Sequence, residues 1–166
     1  SLRHRLRPLG SADAGRVLLG RVLLRTQEPE KALAEFLKLP DPPDDERRRT
    51  ELDCMIGEAL LRLGRFSEAQ ARLGRGDLTS ADPRRLVLLG DANLALNKIP
   101  EATDCYRRIL AAESRNPFVH HRIAVCLLKS KSPELALDHC KQAVEISPEF
   151  AQAMYHAALA CTRLRR

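Results

Sequence analysis

The sequence predicts an all-α protein, a solenoid built from antiparallel helix pairs. Three observations support this fold class. Small residues recur at a nearly constant interval along the 166-residue chain. The apolar residues around them follow steps of three and four, which place one apolar stripe on one face of a helix. Aromatic residues make up only 4% of the chain, whereas the strands of all-β proteins depend on aromatic and β-branched residues.

The repeating feature is a small residue in the first helix of each predicted pair. These residues are Gly20, Gly57, Gly90, Ala124 and Ala158, at intervals of 37, 33, 34 and 34 residues. The second helices keep the same intervals, with a small residue at positions 32, 69, 102 and 136 and a larger one four residues later, at Phe36, Leu73, Tyr106 and Cys140. We expect the small residues to let the two helix axes approach closely and the larger ones to fill the neighbouring groove.

Prolines, glycines and polar caps predict where these helices begin and end. A proline follows Asp82, Asn116, Ser132 and Ser147, and each of these dipeptides predicts an N-cap with proline at the first helical position. Gly64 and Asn97 tolerate the left-handed conformation and predict the ends of two first helices. The predicted helices span 13–26, 29–39, 45–63, 66–73, 83–96, 100–113, 117–130, 133–146 and 149–164.

These spacings resemble the tetratricopeptide repeat (TPR) family, whose 34-residue pattern is W-x2-L-G-x2-Y, then A-x3-F, then P. The resemblance covers four repeats and the first helix of a fifth, at about 13–49, 50–82, 83–116, 117–150 and 151–164, after a basic N-terminal tail or helix remnant at 1–12. No repeat has the tryptophan, and Gly74-Arg75-Gly76 should shorten the second helix of repeat two. The resemblance implies that residues 13–166 form a right-handed superhelix whose first helices line a concave groove.

The same resemblance implies a non-enzymatic scaffold that binds a peptide or a partner domain in that groove. No Gly-rich phosphate loop, H-E-x-x-H or G-x-S-x-G occurs in the sequence, so we do not expect an enzyme or a cofactor. A zinc site is the sharpest chemical alternative, because histidines and cysteines crowd the last third of the chain, at 120, 121, 126, 139, 140, 156 and 161. Several of these fall on repeat packing positions and lack the close ligand pairs of structural zinc sites, so no metal is expected.

RNA binding is the alternative from a different class, because the net charge is +6 and the pI about 9.4. Single-strand binders combine a basic groove with aromatic stacking platforms. Phe36 and Tyr106 belong to the core pattern, and the inner positions hold Cys54, Met55, Val87 and Leu88 without a code of polar residues. The sequence therefore favours a protein partner.

The carboxylate clamp by which TPR proteins hold chaperone tails can be tested residue by residue. It requires Lys-x3-Asn, then Asn, then Lys-x3-Arg in three consecutive first helices. From repeat two the chain offers Cys54, Glu58, Leu88, Phe118 and Arg122, of which only Arg122 matches. No clamp is expected.

The repeat frame also predicts which residues face the groove. Those in repeats two and three are Glu51, Met55, Glu58, Arg62, Arg84 and Asp91. Those in repeats four and five are His121, Arg122, Lys129, His156 and Arg163, with no acid among them. The hypothesis is that an acidic segment docks against repeats four and five, with Arg122 as its bidentate anchor.

The cysteine pattern and the last predicted helix give expectations for location and assembly. Five cysteines without a C-x-x-C pair indicate reduced, buried side chains in a cytoplasmic protein, and no apolar run is long enough for a membrane span. The final predicted helix would present Ala153, Ala157, Ala160, Cys161 and Leu164 as an apolar face. We therefore expect a segment of a longer chain, mostly monomeric, that could associate end to end.

Overall fold

The computed structural model describes residues 11–40, 45–76, 78 and 82–165. Within these residues the backbone forms nine α-helices and no strand. The helices are α1 (Ser11–Arg25), α2 (Pro29–Phe36), α3 (Glu46–Arg62), α4 (Phe66–Leu73), α5 (Pro83–Ala95), α6 (Ile99–Ala112), α7 (Pro117–Lys129), α8 (Pro133–Ile146) and α9 (Ala151–Leu164). Each predicted helix is present. Residues 1–10 of the predicted basic tail lie outside the described residues, and Ser11 and Ala12 belong to α1.

The chain divides into two compact units, residues 1–88 and 89–166. In the first unit Phe36 packs on Gly20 and Leu73 packs on Gly57, while in the second Tyr106 packs on Gly90. The larger residue of each pair is fully buried. Ala124 and Cys140 share a buried cluster in the same way. The predicted packing of a large side chain on a small residue is therefore confirmed in these helix pairs.

The first helix of each pair ends in a residue with a left-handed backbone. These residues are Gln27, Gly64, Asn97 and Lys131, with φ between 59° and 71°. Each lies seven residues after the small residue of its helix, so the turn repeats with the same period as the packing. The prediction for Gly64 and Asn97 is confirmed, whereas Gln27 and Lys131 carry no residue-type signal for this conformation.

Two of the four predicted proline-linked caps form as expected. The side chain of Asn116 accepts a hydrogen bond from the Val119 amide, and Asp82 accepts one from the Arg84 amide. Ser132 precedes α8 without a side-chain cap bond. The helix start predicted at Ser147–Pro148 is wrong: the Phe150 amide bonds the Ser147 carbonyl in a turn, and α9 begins only at Ala151. Proline suits the second position of such a turn as well as it suits a helix start.

The structure corrects three further expectations, one on a helix boundary and two on burial. Helix α2 ends at Phe36, three residues before the predicted end, because Leu37–Leu39 form a turn. Ala153 and Ala160 of α9 are buried and so do not contribute to an exposed apolar face. Four of the five cysteines are buried as predicted, whereas Cys161 is exposed. Over the residues that the structure describes, no helix is long and apolar enough to cross a membrane.

Candidate peptide-binding surface

Consecutive first helices are joined by arginine–carboxylate pairs. In the first unit Arg21 of α1 pairs with Glu51 of α3, and Arg84 of α5 pairs with Glu58 of α3 at 2.7 Å. In the second unit Arg122 of α7 pairs with Asp91 of α5 at 3.1 Å. Five residues predicted to face the groove therefore form ion pairs within the chain: Glu51, Glu58, Arg84, Asp91 and Arg122. The sequence predicted that these charged side chains would bind a partner protein, but in the structure they pair within the chain.

The first unit has a cavity of about 610 Å³ between α3 and the start of α5. It is lined by Glu46, Arg47, Thr50, Glu51, Cys54, Asp82 and Arg84. Acidic and basic groups alternate in this lining, so it presents no single sign of charge to a ligand. Burial raises the pKa of the Cys54 thiol to about 11. Cys54 is therefore a protonated thiol at neutral pH and not a nucleophile.

Met55 and Arg62, which were also predicted for this part of the groove, make contacts within the fold. Met55 is 3% exposed and belongs to the core, so its prediction as a surface contact is wrong. The reason is its place on α3, where an unbroken run from Leu52 to Gly57 is buried. Arg62 donates one hydrogen bond to Glu58 at 2.8 Å and another to the Leu24 carbonyl. Glu58 therefore lies between two arginines, Arg62 and Arg84.

In the second unit, α7 and α9 face each other through a histidine pair. His121 Nε2 lies 3.0 Å from His156 Nδ1, which also lies 2.9 Å from the Gln152 carbonyl. His121 is 7% exposed. Burial, followed by the proximity of His156 and Arg122, lowers the pKa of His121 to about 4. At neutral pH His121 is therefore uncharged, and it does not add to the positive potential that the sequence suggested.

Three cations lie along α7 and α9. Arg122 is 43% exposed at its side chain, and Lys129 is exposed in the last turn of α7. Arg163 donates a hydrogen bond to the Leu128 carbonyl at 2.7 Å, which satisfies an acceptor at the end of α7 and ties α9 to it. Neither helix contains an aspartate or a glutamate. We call this surface, defined by Arg122, Lys129 and Arg163, the basic α7–α9 face.

The predicted zinc alternative gains no support from the side chains. His120 Nδ1 lies 3.0 Å from His139 Nδ1, and His120 Nε2 lies 3.0 Å from the Ser114 carbonyl. This second histidine pair joins α7 to α8. Among the described residues no group of three or more His, Cys, Asp or Glu side chains is arranged to hold a metal ion. A tetrahedral site needs four ligands that converge on one point.

Phe118 on α7 and Tyr155 on α9 are exposed aromatic residues that the repeat pattern does not predict for the groove. Their side chains are 67% and 66% exposed, which is unusual for large aromatic residues. Their place in the repeat could have identified them, because neither residue falls on a small or apolar packing position of the repeat frame. An aromatic residue outside a periodic packing pattern has no core position to fill and is a candidate for the surface.

The described fold and surfaces can be compared with known proteins. Residues 87–149 match a tetratricopeptide repeat family model. MamA from Desulfovibrio magneticus RS-1 (residues 41 to its end) is similar in structure, with a TM-score of 0.77, 17% identity, and coverage of 95% of this chain and 88% of that one. A further MamA crystal structure gives a TM-score of 0.75 at 16% identity, over 93% and 84% of the two chains.

YrrB, described as a TPR protein with an unusual peptide-binding site, gives a TM-score of 0.70 at 18% identity, over 87% of this chain and 74% of that one. These structural similarities extend over 87% to 95% of this chain. Residues 87–149 thus match the TPR family by sequence, and the chain has the all-α fold of tetratricopeptide repeat proteins.

Proposed function

We propose that this chain is a non-enzymatic scaffold that binds an acidic peptide segment on the basic α7–α9 face. The observation that carries the proposal is the charge of these two helices, which hold Arg122, Lys129 and Arg163 and no carboxylate. A surface of one sign raises the local concentration of segments of the opposite sign and accelerates their association. YrrB supplies a precedent for peptide binding on this fold.

Arg122 remains the anchor of this proposal although it pairs with Asp91. The pair is partly exposed, with side-chain exposures of 43% and 23%, and exposed pairs contribute at most about 1 kcal/mol. Arg122 donates to Asp91 through Nη2, at 3.1 Å from Oδ2. A peptide carboxylate can therefore exchange with Asp91 and form the two parallel bonds that a guanidinium prefers.

We also propose that the protein works in a reducing compartment. All five cysteines are free thiols, and Cys54, Cys105, Cys126 and Cys140 are buried apolar groups of the core. A reducing compartment such as the cytoplasm suits this state.

Charge reversal tests the proposed surface. The probe is a fluorescein-labelled peptide of repeated Ala-Glu-Asp triplets, and binding is followed by fluorescence anisotropy. We expect the double variant Arg122→Glu, Lys129→Glu to bind this peptide about tenfold more weakly. The matched control is Arg107→Glu, Lys141→Glu, which alters two exposed residues of α6 and α8 and lowers the formal charge of +6 by the same four units, to +2.

The control separates a local site from an effect of total charge. Circular dichroism must show the same helix content in both variants. Equal loss of affinity in the two double variants would overturn the α7–α9 site, since net charge alone would then explain binding. An RNA arm uses single-stranded poly(U). If poly(U) displaces the peptide and its affinity falls steeply with salt, the chain belongs to the RNA-binding class instead.

A further inference from the structure

Half of the aromatic residues of this chain gather at one surface. The sequence contains four phenylalanines and two tyrosines. Phe36 and Tyr106 are buried in the helix pairs, and Phe66 opens α4. The remaining three, Phe118, Phe150 and Tyr155, lie on or next to α7 and α9.

These three rings and the histidine pair form one continuous series of ring contacts. In order, the rings are Phe118, Phe150, His121, His156 and Tyr155, which we call the aromatic ladder. Successive ring centroids are 5.0, 5.1, 4.9 and 5.2 Å apart, with interplanar angles of 58°, 60°, 62° and 85°. These distances and tilts are those that aromatic pairs prefer.

The two ends of the ladder are the exposed parts. Phe118 and Tyr155 are about two-thirds exposed, whereas His121 between them is buried. His121 is buried and contacts both Phe150 and the half-buried His156, so each end ring packs against an inner ring of the ladder. Aromatic side chains have few rotatable bonds and a large apolar area, which is why they are frequent energetic centres of interfaces.

We infer that the aromatic ladder binds proline residues of the acidic peptide, a step that rests on the proposed function. Proline-containing segments in the polyproline II conformation dock against aromatic side chains because they are already extended and ordered. Arg122 lies four residues after Phe118 on α7, which places the two side chains on one face of that helix. Arg163 lies on the same helix as Tyr155. The partner class is therefore an acidic segment with prolines at a three-residue spacing, which places them on one side of a polyproline II helix.

The ladder is less suited to nucleic acid. Single-strand binders stack successive bases on open ring faces. Here each inner ring is tilted against its neighbours, and the large exposed rings are only the two ends. The ladder therefore offers two separate apolar contacts, at Phe118 and Tyr155, and no continuous platform for bases.

Peptides that differ only in proline test the inference. One probe contains repeated Pro-Glu-Asp triplets and the other repeated Ala-Glu-Asp triplets, so both carry the same charge. We expect the wild-type chain to bind the proline peptide at least about fivefold more tightly. The variants Phe118→Ala and Tyr155→Ala should each reduce this preference, and the double variant should abolish it. Leu135→Ala removes a 56% exposed side chain of α8 outside the ladder and is the matched control.

The outcomes distinguish this inference from the proposed function. If the two peptides bind equally well but the charge reversal at Arg122 and Lys129 weakens both, the proposed function stands and the proline inference is overturned. If the wild-type chain binds neither peptide, both are overturned. Loss of the proline preference in Leu135→Ala would also contradict the ladder, since that side chain lies elsewhere. Preferential capture of poly(U) that depends on Phe118 and Tyr155 would show nucleic acid to be the occupant.

Discussion

The ring of Tyr106 occupies the space that a side chain at position 90 would need. A Cβ on Gly90 would lie 2.6 Å from Cε1 of that ring and 2.7 Å from Cζ. Two features oppose retreat of the ring: it is fully buried, and its hydroxyl donates a 2.6 Å hydrogen bond to Asp91. Burial raises the pKa of Tyr106, so this hydroxyl stays protonated and remains a donor. The glycine is thus required by packing, although glycine weakens a helix.

Gly90→Ala should therefore destabilise the protein despite the better helix propensity of alanine. Overpacking costs about 1–3 kcal/mol, and the propensity gain of up to about 1 kcal/mol offsets only part of it. The free energy of unfolding, measured with urea, should fall. Gly57→Ala should behave in the same way, since its Cβ would lie 2.6 Å from Leu73 Cγ.

Gly15→Ala is the control for this prediction. No heavy atom outside the local backbone lies within 4 Å of a Cβ at Gly15 in α1. The substitution should stabilise the protein by up to about 1 kcal/mol through helix propensity alone. A stabilising effect at Gly90 as well would mean that the small residue is not required for helix packing.

Most of the fold was predictable because its signals are local and repeated. A small residue, a large one and a turn recur with one period, so every helix pair repeats the same evidence for its boundaries. The exceptions have physical causes. Gln27 and Lys131 adopt left-handed backbones because the chain turns there between the two helices of a pair. Neither residue type favours this conformation, so the sequence does not predict it. Ser147–Pro148 fits a turn and a helix start equally well, and only the packed structure decides between them.

Less of the candidate site was predictable. The repeat frame identified Arg122 and Asp91 as residues of one face, but their contact depends on how α5 and α7 pack in three dimensions. The repeat spacing also does not show how deeply a side chain is buried. Met55 and His121 were predicted at the groove surface and are 3% and 7% exposed. Charge counting therefore overestimated the positive potential of α7 and α9, because His121 is buried and neutral.

Removing the charge of Asp91 should strengthen the binding of acidic peptides. Asp91→Asn keeps an oxygen that can accept a hydrogen bond from the Tyr106 hydroxyl, but it replaces the ion pair with Arg122 by a weaker neutral contact. We expect about two- to fivefold tighter binding of the Ala-Glu-Asp peptide, since the exchanged pair is worth at most about 1 kcal/mol. Anisotropy titrations of the variant and the wild type measure this directly. Weaker binding would show that Asp91 positions Arg122 for its partner instead of competing for it.

Stability should decrease as the pH falls from about 6.5 to about 4. The pKa of His121 is about 4 in the folded protein, against an ordinary value of 6.5. Between these values the unfolded chain binds more protons, so the stabilising effect is complete above pH 6.5 and is lost as the pH falls through the folded pKa. The difference between these two pKa values corresponds to about 3 kcal/mol. Burial, followed by His120 and Arg107, lowers the pKa of His139 in the same direction.

Urea unfolding across this pH range measures the effect, and His121→Gln is the test variant. It removes the buried imidazole whose pKa is lowered to about 4 while keeping a polar side chain opposite His156. The variant should show a flatter dependence of unfolding free energy on pH between about 4 and 6.5. A slope identical to that of the wild type would assign the pH dependence to other groups.

The last prediction concerns the left-handed residue that follows α7. Lys131 has a φ of 59°, a conformation that a side chain with a Cβ adopts at a cost, whereas the equivalent position after α3 is Gly64 with a φ of 71°. Lys131 is exposed, so its side chain contributes little packing. Lys131→Gly should therefore stabilise the protein by about 0.5–1 kcal/mol, and the converse change Gly64→Ala should destabilise it by about 1 kcal/mol. Thermal unfolding of the two variants should shift in opposite directions. Destabilisation by Lys131→Gly would mean that the entropy gained by the unfolded chain exceeds the strain relieved at this turn.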